Sequence, residues 1–219
     1  MINPLTAQID VGIAHLSRVD PIMAEAIALV GPCLLEPNPD VFEALIDAII
    51  SQQISVKAAD AIMARLRIAT PGGLVTPAAL IQLDHDALRA AGLSTPKARY
   101  VRDLTERVIS GQLPLSHLPE LDDETIIEYL TAVKGIGRWT AEMILIFALG
   151  RLDVLPVDDL GFAEGVREAY KLETRPARKE LLARGESWRP YRTIATWYMW
   201  RVRRLSMGVE RPRTRIVSL

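Results

Sequence analysis

Two glycines that flank one apolar residue are the pattern in this sequence that points most directly to chemistry. Residues 133–138 read VKGIGR and lie between two stretches of helical apolar spacing, the second of which starts near Trp139. Glycine tolerates the positive φ of a tight turn and lets the backbone approach another surface closely, and Ile136 is expected to point into the core. The amides of such a turn, and of the helix N-terminus after it, form a natural seat for phosphate. The pattern indicates either a simple αα-turn or a nucleic-acid contact.

The elements that must hold this turn are helices. Apolar residues recur at spacings of three and four between Val41 and Ile50, which is typical of a helix with one buried face. Comparable patterns predict helices over residues 41–50, 55–66, 122–132, 160–170 and 191–207, and a further one that includes residues 143–149. We find no alternating strand pattern and no Asn-Gly or Asp-Gly hairpin signal. The predicted fold class is therefore all-α.

Short polar residues and glycines mark the predicted helix ends. Thr76 and Thr95 each precede a proline, the arrangement expected of a side-chain cap followed by proline in the first turn. Asp122 is a predicted cap for the helix before the glycine turn. Gly92 and Gly111 lie where helices need a left-handed terminator.

The composition restricts the class of protein. Of 219 residues, 49% are hydrophobic, enough for one large domain or two closely packed lobes. No apolar run is long enough to cross a bilayer and the first residues lack a signal-peptide pattern, so we expect a soluble, intracellular (cytoplasmic) protein. Cys33 is the single cysteine and the three histidines are far apart in sequence, which disfavours a disulfide, an iron–sulfur cluster and a catalytic metal.

Charge is distributed unevenly along the chain, although the net charge is only -1. Residues 1–60 hold eight acidic and two basic residues, whereas residues 175–215 hold twelve basic and three acidic residues. A basic segment of this kind indicates either a face for a polyanion, where Lys and Arg release condensed counterions, or a solvated charged surface.

The wider context of the glycine turn resembles the helix-hairpin-helix DNA glycosylases. Their shared pattern is a Gly-x-Gly hairpin followed, about twenty residues later, by an aspartate. More narrowly, the chain resembles the 3-methyladenine DNA glycosylase II branch. The stretches that carry this resemblance are residues 50–55 (ISQQIS), 92–98 (GLSTPKA), 134–141 (KGIGRWTA), 149–150 (LG), 153–161 (DVLPVDDLG), 188–192 (WRPYR) and 197–200 (WYMW).

The resemblance implies a helical glycosylase with two lobes that flank a DNA-binding cleft. Residues 36–120 would form one lobe with a wedge loop, residues 1–35 plus 121–207 the second lobe with the hairpin, and residues 208–219 a tail. The implied partner is double-stranded DNA with damaged bases, bound by a monomer that has no membrane contact. No cofactor is implied beyond a structural monovalent cation on the hairpin carbonyls.

The same resemblance assigns roles to two adjacent acids. The spacing from the hairpin places Asp159 at the catalytic position, where a carboxylate stabilises oxocarbenium character on the sugar and orients water. Asp158 is then the predicted N-cap of the helix over residues 160–170, although a slip of one residue would exchange the two roles. This interpretation requires the Asp159 carboxylate to face the hairpin groove and the tryptophan cavity and not to lie deep in the core.

Trp139, Met143 and Trp200 are the predicted lining of the base pocket. Alkylation at a ring nitrogen makes a base cationic, and tryptophan faces attract cations by about 0.5–2 kcal/mol. Bifunctional relatives carry a nucleophilic lysine at the position of Trp139, so the resemblance implies a monofunctional enzyme that leaves an abasic site. Methionine at residue 143, where a relative carries an aromatic residue, weakens stacking in this pocket.

The remaining predicted contacts are with the DNA itself. Gln53 corresponds to the intercalating position and either fills the space left by the extruded base or belongs to a plain polar turn. The hairpin is predicted to grip the phosphate backbone. The residues assigned to that grip are Lys134, Gly135, Gly137, Arg138 and Thr140.

Two other functions remain open from the sequence. One is a helix-hairpin-helix module that binds DNA without catalysis, against which the placement of Asp159 argues. The other is a glycosylase for oxidised or deaminated bases, for which Trp139 and the absence of cluster cysteines are unfavourable.

Overall fold

The structure, a computed structural model, describes residues 4–209, and within these it contains α-helices and short 3₁₀ turns but no β-strand. This confirms the predicted all-α fold class. No helix in this part of the chain has the length and apolar character needed to cross a membrane. The predicted tail from residue 210 onward lies outside the described residues. The helices of residues 4–209 are α1 (Pro4–Val19), α2 (Pro21–Val30), α3 (Val41–Ser51), α4 (Val56–Ala69), α5 (Pro77–Leu80), α6 (His85–Ala90), α7 (Thr95–Ile109), α8 (Asp123–Thr131), α9 (Arg138–Phe147), α10 (Leu160–Ala169), α11 (Arg178–Gly185) and α12 (Arg192–Ser206).

The helix ends follow local side-chain chemistry. Asp122 caps α8 and Thr76 caps α5, as predicted, and Gly92 and Gly111 both have positive φ just after a helix. The prediction that Thr95 caps α7 was wrong. The Ser94 hydroxyl accepts the bond from the Lys97 amide instead, so Thr95 becomes the first helical residue. Both residues can cap, and the pattern Ser-Thr-Pro alone does not decide between them.

The described chain forms two compact units. The terminal unit comprises residues 4–37 and 145–209, and the central unit comprises residues 38–144. The predicted lobes grouped residues 121–144 with the chain termini, whereas the structure groups them with the central unit. The reason is that the turn after α8 is fastened to α7, where the Asp103 carboxylate accepts a bond of 2.9 Å from the Lys134 amide. The cleft between two lobes stays a prediction.

The core of the terminal unit is built on α10 and α12, which pack closely together. All residues from Thr193 to Trp200 are buried. Gly165 of α10 permits this packing, because a Cβ atom there would lie 2.1 Å from the Met199 carbonyl oxygen. Trp188 and Tyr198 are fully buried and belong to this core.

Helix α7 organises the central unit, because α3, α5 and α6 all pack against it. Helix α3 presents fully buried residues such as Leu45, Ile46 and Ile49, in keeping with its predicted one-sided pattern. From α7, Val101 and Leu104 enter the same core. The turn at residues 52–55 and the hairpin after α8 both depend on this packing.

A buried carboxylate ties distant parts of the terminal unit together. Asp20 caps α2 through bonds from the amides of Ile22 and Met23, at 3.0 and 3.2 Å. Its second oxygen accepts bonds from the Tyr170 hydroxyl and, at 3.0 Å, from the Trp188 indole. Burial disfavours ionisation of Asp20, but these hydrogen bonds outweigh it and hold the pKa below its ordinary value of 3.8.

We expect Asp20→Asn to lower the free energy of unfolding by about 2 kcal/mol, because an amide leaves a buried donor without an acceptor. A carboxyl group with a lowered pKa stabilises the fold above its unfolded pKa, and this contribution disappears as the pH falls through the folded pKa. The difference between wild type and variant should therefore be complete at neutral pH and shrink below the ordinary pKa of 3.8. Urea denaturation followed by circular dichroism at several pH values measures it.

The control is Asp40→Asn, which changes a solvent-exposed cap of α3 whose side chain accepts one bond from the Glu43 amide. Asparagine caps about as well as aspartate, so the cost should stay within about 0.5 kcal/mol. An equal loss in the free energy of unfolding for Asp20→Asn and Asp40→Asn would contradict the role assigned to Asp20.

Candidate active site and nucleic-acid interface

The hairpin between α8 and α9 has the tight geometry that its glycines predict. Gly135 has a φ of +83°, and a Cβ atom there would lie only 2.2 Å from the ring of Tyr100. Ile136 is buried, as predicted, and its amide donates to the Val133 carbonyl at 3.1 Å. The fold itself therefore requires glycine at residue 135.

Gly137 differs from Gly135, because neither packing nor backbone conformation within the protein requires a glycine there. A Cβ atom at this position would meet nothing within 4 Å, and its φ is not in the left-handed region. It immediately precedes α9, which begins at Arg138, and the first amides of a helix have no intrahelical acceptor. A glycine in open space beside a helix N-terminus is what a close-approaching anion needs.

The charged side chains of the hairpin differ in how strongly they are paired with carboxylates of the protein. The Lys134 side chain is 72% exposed and lies 3.8 Å from the Asp103 carboxylate. Arg138 donates two bonds to Glu124, at 2.9 and 2.5 Å, and one of 3.2 Å to Glu142. The Arg138 guanidinium holds the pKa of Glu124 below its usual value. A phosphate at Arg138 would have to compete with these carboxylates.

Thr140, the last predicted hairpin contact, is buried, so its side chain does not present a surface to DNA. Gln53, the predicted wedge, is exposed and stands in the turn between α3 and α4. Its φ is +58°, an unusual backbone conformation for a residue other than glycine. The structure thus brings Gln53 and the hairpin into the same unit.

Asp159, not Asp158, caps α10, so the predicted division of roles between these acids was wrong. The Asp159 Oδ1 atom accepts a bond of 2.5 Å from the Phe162 amide. Asp158 is exposed and forms an ion pair with Arg178. The sequence left both acids possible as caps, and only the register of the helix start, at Leu160, decides between them.

The same Asp159 oxygen accepts a bond of 2.8 Å from the Trp200 indole. Trp200 in turn stacks on Phe147, with ring centroids 5.7 Å apart and an interplanar angle of 18°. The sequence analysis did not single out Phe147, although it lies four residues after Met143 and therefore on the same face of α9. The acid and two stacked aromatic rings thus form one cluster in the terminal unit.

The other predicted pocket residues lie on the part of α9 that belongs to the central unit. Trp139 lies in the first turn of the helix and is 38% exposed. Met143 is 1% exposed and packs in the core. The sequence assigned both to one pocket, and this shared pocket stays a prediction.

Asp159 is only 4% exposed, which is more enclosed than the sequence-based interpretation allows, and its catalytic role stays a prediction. Its two bonds fix the orientation of the carboxylate. A fixed carboxylate shielded from bulk water stabilises a nearby positive charge more strongly than one in solvent. The surrounding side chains have to give way before a sugar can reach it.

The residues 4–209 hold no group of three or more histidine, cysteine or acidic side chains that could bind a metal ion. The predicted monovalent cation would need hairpin carbonyl oxygens. Three of these already accept hydrogen bonds: Val133 from the Ile136 amide, Gly135 from the Gln52 side chain and Gly137 from the Ala141 amide. A carbonyl oxygen has a second lone pair, so the backbone fits such an ion, and the cation stays a prediction.

Comparison with known proteins identifies the relatives of this chain. A family model described as "HhH-GPD superfamily base excision DNA repair protein" matches residues 46–190. DNA-3-methyladenine glycosylase 1 from Schizosaccharomyces pombe is 39% identical over 197 residues, which cover 88% of this chain and 86% of that protein. The alkylbase DNA glycosidase-like protein mag2 of the same organism is 33% identical over 87% of this chain and 92% of its own length.

Solved structures give the same result. The 3-methyladenine DNA glycosylase Mag1 from S. pombe, solved in complex with abasic DNA, aligns with a TM-score of 0.75 at 38% identity, over 86% of this chain and 94% of that one. A DNA-3-methyladenine glycosidase from Bacillus halodurans aligns with a TM-score of 0.83 at 37% identity, over 90% and 91% of the two chains.

The two hairpin glycines should respond differently to the same change. We expect Gly137→Ala to alter the free energy of unfolding by no more than about 1 kcal/mol, because space is available for the methyl group. Its affinity for duplex DNA should fall about tenfold, because the methyl group blocks close approach of a phosphate. Fluorescence anisotropy with a labelled duplex at fixed salt measures the affinity.

Gly135→Ala is the matched variant and should destabilise the central unit by about 2 kcal/mol or more, since it combines a positive φ with a clash against Tyr100. Undiminished DNA affinity in Gly137→Ala would show that the open space at this glycine does not serve the backbone contact.

Proposed function

Because the chain belongs to the HhH-GPD superfamily of base excision DNA repair proteins, we propose that it is a monofunctional DNA glycosylase for alkylated bases of the 3-methyladenine type. The observation that carries the proposal is the Asp159 carboxylate, which is held by the indole of Trp200, the ring that stacks on Phe147. The names of its relatives support the choice of substrate. Such an enzyme acts where chromosomal DNA lies, inside the cell.

The reaction begins with extrusion of the damaged nucleotide from the duplex, which costs a few kcal/mol of unstacking, and less at a damaged pair. The C1′–N bond then breaks, and its electron pair moves to the base nitrogen. An alkylated base that carries a positive charge leaves as a neutral molecule. Water adds to the cationic sugar and loses a proton, which yields an abasic site.

Asp159 would stabilise the positive charge that develops on the sugar. Its carboxylate is oriented by the Phe162 amide and the Trp200 indole, so little reorganisation is needed when the charge forms. Its low exposure favours a strong interaction with the sugar cation. The proposal requires local opening of the terminal unit around Asp159 when the nucleotide enters.

Aromatic rings would recognise the cationic base before the bond breaks. Trp139 offers an exposed ring, and Trp200 belongs to the cluster around the acid. A cation over a tryptophan face gains about 0.5–2 kcal/mol. Met143 contributes packing instead of a stacking surface, because it is buried in the core.

Asp159→Asn separates catalysis from the structural role of this residue. Asparagine still caps α10 and still offers an oxygen to Trp200, so the free energy of unfolding should change by no more than about 1 kcal/mol. Loss of the negative charge should slow single-turnover release of methylated bases by about 10²–10⁴-fold. The measurement uses duplex DNA treated with a methylating agent, and affinity for the duplex should be unchanged.

The control is the neighbouring change Asp158→Asn, which removes an ion pair between two side chains that are both more than half exposed. It should leave base release within about twofold of wild type, since exposed ion pairs contribute little. A wild-type rate in Asp159→Asn would reduce this acid to a helix cap. Duplex binding without any base release by the wild-type protein would instead favour the second candidate function, a helix-hairpin-helix module that binds DNA without catalysis.

The monofunctional part of the proposal rests on Trp139, which has no amine and cannot form a Schiff base with the sugar. Borohydride added during turnover should trap no covalent enzyme–DNA species, and product DNA should remain uncut until alkali is added. The control replaces Trp139 with phenylalanine, which should give the same negative result. A trapped species at the level of a bifunctional glycosylase would show that another amine of the chain attacks the sugar.

A further inference from the structure

The turn that carries Gln53 is held in a conformation that its sequence does not favour. Gln53 and Lys171 are the residues other than glycine that have positive φ in the part of the chain that the structure describes. A left-handed backbone costs an ordinary residue about 1–2 kcal/mol. Such a conformation persists only where neighbouring contacts impose it.

Lys97 supplies one of these contacts. Its Nζ atom donates to the carbonyl oxygens of Ile50 and Gln52, at 2.6 and 2.5 Å. These carbonyls lie at the C-terminal end of α3, where the helix dipole favours a positive charge. Lys97 is half-buried, and burial lowers the pKa of its ammonium group. A single side chain thus fastens the end of α3 directly before Gln53.

Gln52 supplies the second contact. Its side-chain amide donates a bond of 2.8 Å to the carbonyl oxygen of Gly135, which lies in the hairpin. Residues 52 and 135 are distant in sequence, and this bond connects the turn directly to the hairpin backbone. The Gln52 side chain therefore faces the hairpin, whereas Gln53 and Ile54 are exposed.

Helix α7 holds both ends of this connection. Lys97 reaches the turn, the Tyr100 ring packs under Gly135, and the Asp103 carboxylate accepts the Lys134 amide. These three residues follow one another at intervals of three and lie along one side of α7. One helix face therefore sets the distance between the turn and the hairpin.

We propose that Lys97 and Gln52 are positioning residues that hold the Gln53 turn at a fixed distance from the hairpin, so that extrusion of the damaged base is coupled to the grip on the phosphate backbone. This inference rests on the proposed function. Neither residue touches the reacting atoms, and both act through Gln53. They should therefore affect extrusion of the base and not cleavage of its bond.

The test uses Gln52→Met and Lys97→Met, which keep side-chain length but remove the donors. Lys97→Arg retains a cationic donor and should recover at least part of the lost rate. Matched controls are Gln82→Met and Lys57→Met, which change exposed side chains of the central unit. Thermal unfolding establishes that each variant is folded, and Gln52→Met carries the test alone if Lys97→Met does not fold.

Two substrates separate positioning from general damage to the protein. One duplex carries a 7-methylguanine opposite cytosine, and the other carries the same lesion opposite a stable abasic analogue, so that no base pair has to be broken. Single-turnover release from the paired substrate should fall about 10- to 100-fold in both donor-removing variants, as expected for a misplaced group. Release from the unpaired substrate should stay within about threefold of the wild-type rate. The control variants should release the base at the wild-type rate from both substrates.

An equal loss on both substrates would overturn the inference, because it would indicate a structural defect. An unchanged rate on the paired substrate would overturn it as well. If wild-type protein released no base from either duplex or from methylated DNA, the proposed function itself would fail. The two failures can be told apart by the wild-type protein. If it releases base but the variants do not behave as expected, only the inference fails.

Discussion

The contact between Gly135 and the ring of Tyr100 is the constraint on which the hairpin of the central unit depends. It allows the chain to turn within a few residues of the end of α8 and to lie against α7. From that position the Lys134 amide reaches Asp103 and the Gly135 carbonyl reaches Gln52. A larger residue at 135 would push the backbone away from α7 and weaken both bonds. The hairpin can therefore lie against α7 only because glycine has no Cβ atom.

Asp159 caps α10 and is also the proposed catalytic acid, whereas the sequence divided these roles between neighbours. A helix cap needs an acceptor at a defined place, and charge stabilisation at a sugar needs a carboxylate with a fixed orientation. The bond from the Phe162 amide meets the first need and also helps to meet the second. The Trp200 indole adds a further donor to the same oxygen. Capping is therefore compatible with the proposed catalysis, and it accounts for the orientation of the acid.

Local patterns predicted much of this structure, and contacts between distant residues account for what they missed. The one-sided pattern of α3, the Asp122 cap and the need for glycine at residue 135 follow from neighbours in sequence and were confirmed. The role of Asp158 and the cap at Thr95 were wrong, because adjacent residues with equal capping ability are decided by where the helix begins. The stacking of Phe147 on Trp200 and the reach of Lys97 join different helices, which periodicity does not show. Among the predicted site residues, burial argues against a surface role for Met143 and Thr140.

The basic segment near the C-terminus contributes to the terminal unit in a way that net charge does not reveal. Every arginine between residues 175 and 203 contacts an acidic or aromatic side chain of the protein. The partners are Glu164 for Arg175, Asp158 for Arg178, Tyr170 for Arg184, Asp153 and Glu186 for Arg189, Asp153 for Arg192, Trp197 for Arg201, and Glu164 and Glu168 for Arg203. These cations already have partners within the protein, so the excess of basic residues in this segment is not by itself a sign of a surface for a polyanion. Backbone amides at a helix N-terminus carry partial positive charge without any basic residue, so the proposed phosphate contact at the hairpin is compatible with a net charge of -1.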